Sequence, residues 1–383
     1  MLNGKEITGF PGFCLGLTHQ KISAKRAGAK FAEKSAEVAV IVLLDGPETA
    51  KLSGESGFQA PRFIMVTPLD HGKKGYNGYG AWLRAKFGGM KVFKVIVDAG
   101  FTCPNRDGSK GHGGCAYCNV DSYTPVLPRS LPDIREQFAQ GIARARKHYG
   151  AEKFIVYFQP NTNTYAPVET LRELYDEALA ICPEDVVGLA VGTRPDCLDA
   201  EKIALLESYS ERLAVDLELG MESIHDNTLR EINRACTHGE LTSLLDSLAH
   251  TPLNLCVHTI FGFPWETREM MLAQADEINR FPQIHFVKLH HLHIVEGSIL
   301  AARYRKQPFP LFSLEEYADF LCDFLPLLRP DLIIQRLFGV ADQALLIGPK
   351  WNLPKSAVQT FLDREIERCG VIQGSRASER VKN

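Results

Sequence analysis

Residues 91–119 read KVFKVIVDAGFTCPNRDGSKGHGGCAYCN. The first ten, KVFKVIVDAG, are rich in β-branched and apolar residues, the composition of a strand. The remainder is mostly Gly, Asn, Asp, Ser, Lys and Pro, the composition of a loop and not of a core element. That loop holds three of the chain's ten cysteines, Cys103, Cys115 and Cys118. A disulfide framework uses thiols in pairs, and a closed structural metal site takes four ligands. Three thiols in one soft loop fit neither pattern.

The strand is the first of a series. Similar runs occur at KFIVYFQP (153–160), VVGLAVGT (186–193), RLAVDLELG (212–220), LNLCVHTIFGF (253–263) and HFVKLHHLHIV (285–295). Helical patterns lie between them over 131–148, 167–181, 199–207, 226–234, 238–248 and 266–280. Strands alternating with crossover helices imply a parallel sheet. The expected fold is α/β, a partial (β/α)6 TIM-like barrel, with an open doubly wound sheet as the alternative. In such barrels the C-terminal ends of the strands form the functional face, and the cysteine loop sits there. A helix over 314–328, a strand-like run LIIQRLFGV (332–340) and a helix over 354–368 read as a small C-terminal α/β cap. Three regions are expected: a poorly ordered N-terminal extension over 1–70, or sequence upstream of a start at Met65; a core over 71–328; and a cap with tail over 329–383.

The chain has 383 residues, 45% hydrophobic and 23% charged, with a net charge of −3. Nothing in that balance demands nucleic acid or an anionic membrane. No run of about 18 apolar residues occurs, so no membrane span is expected. The expected location is the cytoplasm, where thiols stay reduced and a cluster of them points to metal or chemistry.

The loop spacing is Cys-x11-Cys-x2-Cys, and its glycines allow a tight wrap. Three thiolates with no fourth neighbour leave one metal position open. The leading reading is a [4Fe–4S] cluster with one iron free. A zinc site completed by His112 or a distant cysteine, a Cys-x-x-Cys redox pair, and three unrelated cysteines stand beside it.

Taken with YFQPNTNTYAPVETLRELY, VVGLAVGTRPDCL, ELGMESIHDNTLREINR, FGFPWET and VKLHHLHIVEGS, the phrase CPNRDG…GGCAYCN resembles the radical S-adenosylmethionine (SAM) superfamily. It looks most like the YhcC-like bacterial branch, related to the radical SAM half of the elongator catalytic subunit. The resemblance runs from about Tyr76 to Trp351 and leaves out residues 1–70. It implies a [4Fe–4S] cluster on Cys103, Cys115 and Cys118, with the amino and carboxylate groups of SAM on the open iron. One electron, from a flavodoxin- or ferredoxin-type reductant, would cleave SAM to methionine and a 5′-deoxyadenosyl radical. That radical takes a hydrogen from substrate, here an RNA by analogy with the elongator relatives or a small metabolite. A non-catalytic iron–sulfur or zinc binding module is the rival.

Family placement also suggests other site residues. Tyr117 would lie near adenine, with local packing as the plain alternative. Gln159 and Asn161 replace the usual glycine-glycine-glutamate near the SAM amino group; a capped polar loop would look the same. Arg194 would meet a carboxylate or phosphate at the active face, unless it simply pairs with Asp196. Glu218 and Ser223 match the positions that contact ribose and amino group. Gly262 lies in a segment that approaches adenine. Lys288 and His290 would face substrate in the lumen, with His293 near adenine; a core histidine is the bland alternative for each ring.

Overall fold

The computed structural model describes residues 74–124 and 133–377. The expected N-terminal extension and the start at Met65 lie outside the described residues.

The elements run α1 (Tyr79–Lys86), β1 (Val92–Val97), α2 (Ile134–Tyr149), β2 (Lys153–Phe158), α3 (Val168–Leu179), β3 (Val186–Thr193), α4 (Ala200–Ser210) and β4 (Ala214–Glu222). Then come α5 (Asp226–Glu231), α6 (His238–Ser247), β5 (Asn254–Phe261), α7 (Arg268–Arg280), β6 (Ile284–His291), β7 (Ile294–Val295), α8 (Ile299–Lys306), α9 (Leu314–Phe324), β8 (Ile333–Arg336), β9 (Leu346–Gly348) and α10 (Lys355–Arg368). Side-chain caps from Asp133, Asp199, Thr237, Thr267, Ser298 and Ser313 set the starts of six helices.

The main sheet has seven parallel strands in the order β1-β2-β3-β4-β5-β6-β8. Laid flat, its two end strands would be about 29 Å apart, six steps of about 4.8 Å. Yet Lys94 Nζ on β1 is 3.3 Å from Gln335 Oε1 on β8. The sheet is therefore curled into a half-barrel, and its edges face each other across a lumen. The stretch before α1 sits at the β8 edge, with Gly78 bridged to Ile334.

Alternation divides the burial. Val156, Phe158, Leu189, Val191, Leu217, Leu219, Leu255, Val257, Val287 and Leu289 pack outward in the main core shared with the helices. Ile155, Tyr157, Ala190, Cys256, Phe286 and Ile333 pack inward with Trp82 and Leu83 of α1, closing the barrel bottom.

The six expected strands form in the expected order. The strand expected in the C-terminal cap instead extends the main sheet as β8. Its two isoleucines explain this: Ile334 joins the outer core and Ile333 the inner one, and burial on both faces is what a parallel main-sheet strand requires. Among the described residues after β8, the expected cap keeps only β9, which pairs with β7 in a separate antiparallel ribbon, and α10.

Candidate active site

From the end of β1 the chain enters the cysteine loop. The Cys103 carbonyl accepts from the Arg106 and Asp107 N–H groups at 2.8 and 3.1 Å. Gly113 and Gly114 carry φ of +79° and +76°, so the wrap needs residues without a Cβ. Asn105 is fully buried and donates to the Asn233 carbonyl. Asn233 donates back to the His112 and Gly114 carbonyls at 3.1 and 2.9 Å. The turn after α5 thus clamps the loop from across the barrel.

The three thiols all line one cleft at the strand C-termini. Donors point at two of the sulfurs. Arg106 Nη2 is 3.3 Å from Cys118 Sγ, and Arg234 Nη1 is 3.6 Å from Cys115 Sγ. Burial, then the neighbouring Cys115, pushes the Cys118 thiol up to about 11; a metal bound there takes the proton's place. His112 lies apart from them, its ring under Gly108, where an added Cβ would be 2.7 Å from Cε1. Among the described residues, no three His, Cys, Asp or Glu side chains are grouped as they would be around a single ion.

Below the thiols is a charged floor. Glu218 is fully buried, and both its oxygens are engaged. Lys94 Nζ meets Oε1 at 2.8 Å, while Lys288, Tyr157 and His258 all meet Oε2, His258 at 3.0 Å. Lys94 also pairs with Asp216 at 2.8 Å. Burial alone would push the Glu218 carboxyl up; Lys288, Lys94 and His258 hold it well below the usual carboxylate range. Two lysines and two carboxylates balance.

Several expected site residues converge on the cleft: Tyr117, Gln159, Asn161, Arg194, His290 and His293. Tyr117 also packs against the small core around Phe263, ring centroids 6.3 Å apart. Arg194 is 3% exposed and makes four hydrogen bonds, two to Asp196 at 2.9 Å and one each to the Arg234 and Ala235 carbonyls. That is the structural Arg–Asp pair, and it helps hold the clamping turn. His293 Nε2 is 2.8 Å from His291 Nε2, and His291 stacks on Trp351.

Three expected residues sit elsewhere. Lys288 lies under the cleft, committed to Glu218 and Tyr157. Ser223 is fully buried, its hydroxyl donating to Glu266. Glu222 takes the cleft position instead, because the β4–β5 register shifts between Gly220 and Glu222, where Glu222 adopts φ +61°. Gly262 faces Phe312: at φ +97°, a Cβ would come within 3.0 Å of that ring. Its glycine requirement comes from packing and backbone.

Sequence reasoning passed over Arg106, Arg234 and Arg336, all on the cleft wall. Arg106 and Arg234 lie within CPNRDG and REINRAC, where the polar residues between cysteine loop and turn were the available signal.

A model of the radical SAM superfamily matches residues 105–278, and one of the radical SAM C-terminal domain matches residues 284–368. Uncharacterized protein YtqA of Bacillus subtilis (strain 168) is 35% identical over 307 residues, 80% of this chain and 94% of that one. Protein YhcC of Escherichia coli (strain K12) is 34% identical over 300 residues, 78% of this chain and 94% of that one. In fold, the chain resembles Elp3 of the archaeon Methanocaldococcus infernus, with a TM-score of 0.58 at 16% identity, covering 76% of this chain and 68% of that one. The family implies SAM and a [4Fe–4S] cluster, and no helix among the described residues is long and apolar enough to cross a membrane. The chain belongs to the radical SAM superfamily and is a relative of YtqA and YhcC.

Proposed function

We propose that the chain is a radical SAM enzyme whose cluster is held by Cys103, Cys115 and Cys118. The observation that carries this is the donor set: three thiols from one loop on one cleft wall, with guanidinium donors on Cys118 and Cys115. A single tetrahedral ion would need its ligands around one point about 2.3 Å from each sulfur. A four-iron cluster takes one thiolate per iron and needs no such point. Family membership and the absence of single-ion grouping among the described residues both favour the cluster.

When bound, cluster and SAM together supply one-electron cleavage of SAM and the 5′-deoxyadenosyl radical. The chain's residues have the remaining tasks. Arg106 and Arg234 donate to the cysteine sulfurs, and outer donors of this kind tune such sites. Gln159, Asn161 and Glu222 offer polar atoms for the SAM amino group, and Tyr117 offers an apolar face for adenine. The buried floor of Lys94, Glu218, Lys288 and Tyr157 orients His258 and excludes water beneath the reacting centre. The substrate, an RNA or a small metabolite, would enter the lumen from the strand C-termini.

The test is anaerobic reconstitution followed by metal analysis and electron paramagnetic resonance of the reduced protein, with and without SAM. Iron and sulfide in equal amounts, and a signal altered by SAM, are expected. Zinc without iron would favour a binding module, and a signal indifferent to SAM would contradict an open iron.

A further inference from the structure

Among the described residues, four guanidiniums line the cleft: Arg106, Arg194, Arg234 and Arg336. Three are committed. Arg106 donates to Cys118, Arg194 is paired with Asp196, and Arg234 lies between Cys115 and Glu222, 3.7 Å from the latter. Arg336 has no carboxylate and no side-chain hydrogen bond among the described residues. The floor offers it none, since Lys94 and Lys288 already offset Asp216 and Glu218. A half-buried cation without a partner is costly unless something completes it.

Its position is built by a bulge. Along the β6–β8 pair, Val287 lies opposite Ile334 and Lys288 opposite Arg336, so Gln335 is skipped. The skipped residue turns its side-chain carbonyl to Lys94, while Arg336 reaches the cleft wall. Bulges next to active sites commonly re-aim a side chain in this way.

A second group points to the same ligand. His290 Nε2 is buried with no hydrogen-bond partner. Burial, then Arg336, holds His290 well below its usual range, so the ring is neutral and can donate from Nε2. Gly339 leaves space beside it: a Cβ there would stand 3.0 Å from Nδ1.

We propose that Arg336 and His290 form a subsite for the carboxylate or phosphate of a small-molecule substrate. This rests on the radical SAM reading above. In that reading the SAM carboxylate goes to the cluster, beside Arg106 and Arg234, whereas Arg336 stands next to Lys288 on the seventh strand. Backbone phosphates of RNA call for several cations along a track. Arg336 is the one cation on the cleft wall left unpaired among the described residues, which favours a small anion.

The test uses reconstituted wild-type protein and titrates inorganic phosphate, succinate and a short single-stranded RNA by calorimetry. Saturable binding of phosphate or succinate is expected, weakened at least tenfold in Arg336→Gln and partly restored in Arg336→Lys. Circular dichroism and cluster absorbance check that the variants are folded. Absence of saturable anion binding, or equal affinity in Arg336→Gln, overturns the subsite. RNA binding more tightly than either small anion and displacing phosphate overturns its assignment to a small molecule. If wild-type protein binds the anions but forms no 5′-deoxyadenosine, the enzymatic reading fails and the anion site stands. If it forms 5′-deoxyadenosine but binds neither anion, the subsite alone fails.

Discussion

Glu218 shows how much of the lumen is settled by one carboxylate. It is fully buried among Lys94, Lys288, Tyr157 and His258. Removing one partner of such a network leaves uncompensated charge in a low-dielectric site. Glu218→Gln should therefore destabilise the fold by about 3–5 kcal/mol, measured by denaturant unfolding. A loss below about 1 kcal/mol would mean that the lysines find water or another partner. Alternation along 214–222 already puts Asp216, Glu218 and Glu222 on one face, so the acidic lining was legible in the sequence. The partners were not, because Lys94 comes from a strand three places away in the sheet. Nor was the exchange of Ser223 for Glu222, which depends on a register shift that no residue pattern announces.

At the level of elements, β6 and the residues just after it carry the chain's densest run of histidines, and the fold keeps them neutral. Burial, then Arg329, brings His285 down to about 4, and burial brings His293 to about 4. The His285 Nδ1 accepts from the Leu255 N–H at 3.3 Å, a bond that protonation breaks. The folded value lies below the unfolded value of about 6.5, so the unfolded chain binds more protons between the two. Stability is present above about pH 6.5 and is lost as pH falls toward 4, by about 3 kcal/mol for His285. Urea unfolding from pH 7 to 4.5 should show this slope, and His285→Leu should reduce it by close to one proton; an unchanged slope would show His285 already protonated. Strand order was readable because each strand is followed by a helix of matching period. Two-sided burial of Ile333 and Ile334 was not, since LIIQ fits an edge of a cap as well as the last strand of a barrel. Arg336 was hidden for the same reason.

At the largest scale, the described residues form a curled sheet that brings three loops to one mouth. The cysteine loop after β1, the polar turn after β2 and the clamping turn after α5 come from distant parts of the chain, and the curvature of the sheet brings them together. The motifs in the sequence named the first of these and gave it an address at the strand C-termini. They gave no sign that Asn105 and Asn233 lock it in place, because that lock spans 128 residues. The reading stands or falls with one-electron cleavage of SAM at this mouth. The direct measurement is 5′-deoxyadenosine by mass spectrometry after anaerobic incubation of reconstituted protein with dithionite and SAM, beside Cys118→Ala. Methionine and 5′-deoxyadenosine in equal amounts are predicted from the wild type, and background from the variant. Background from a wild type that holds its full cluster, or equal product from both proteins, would contradict it.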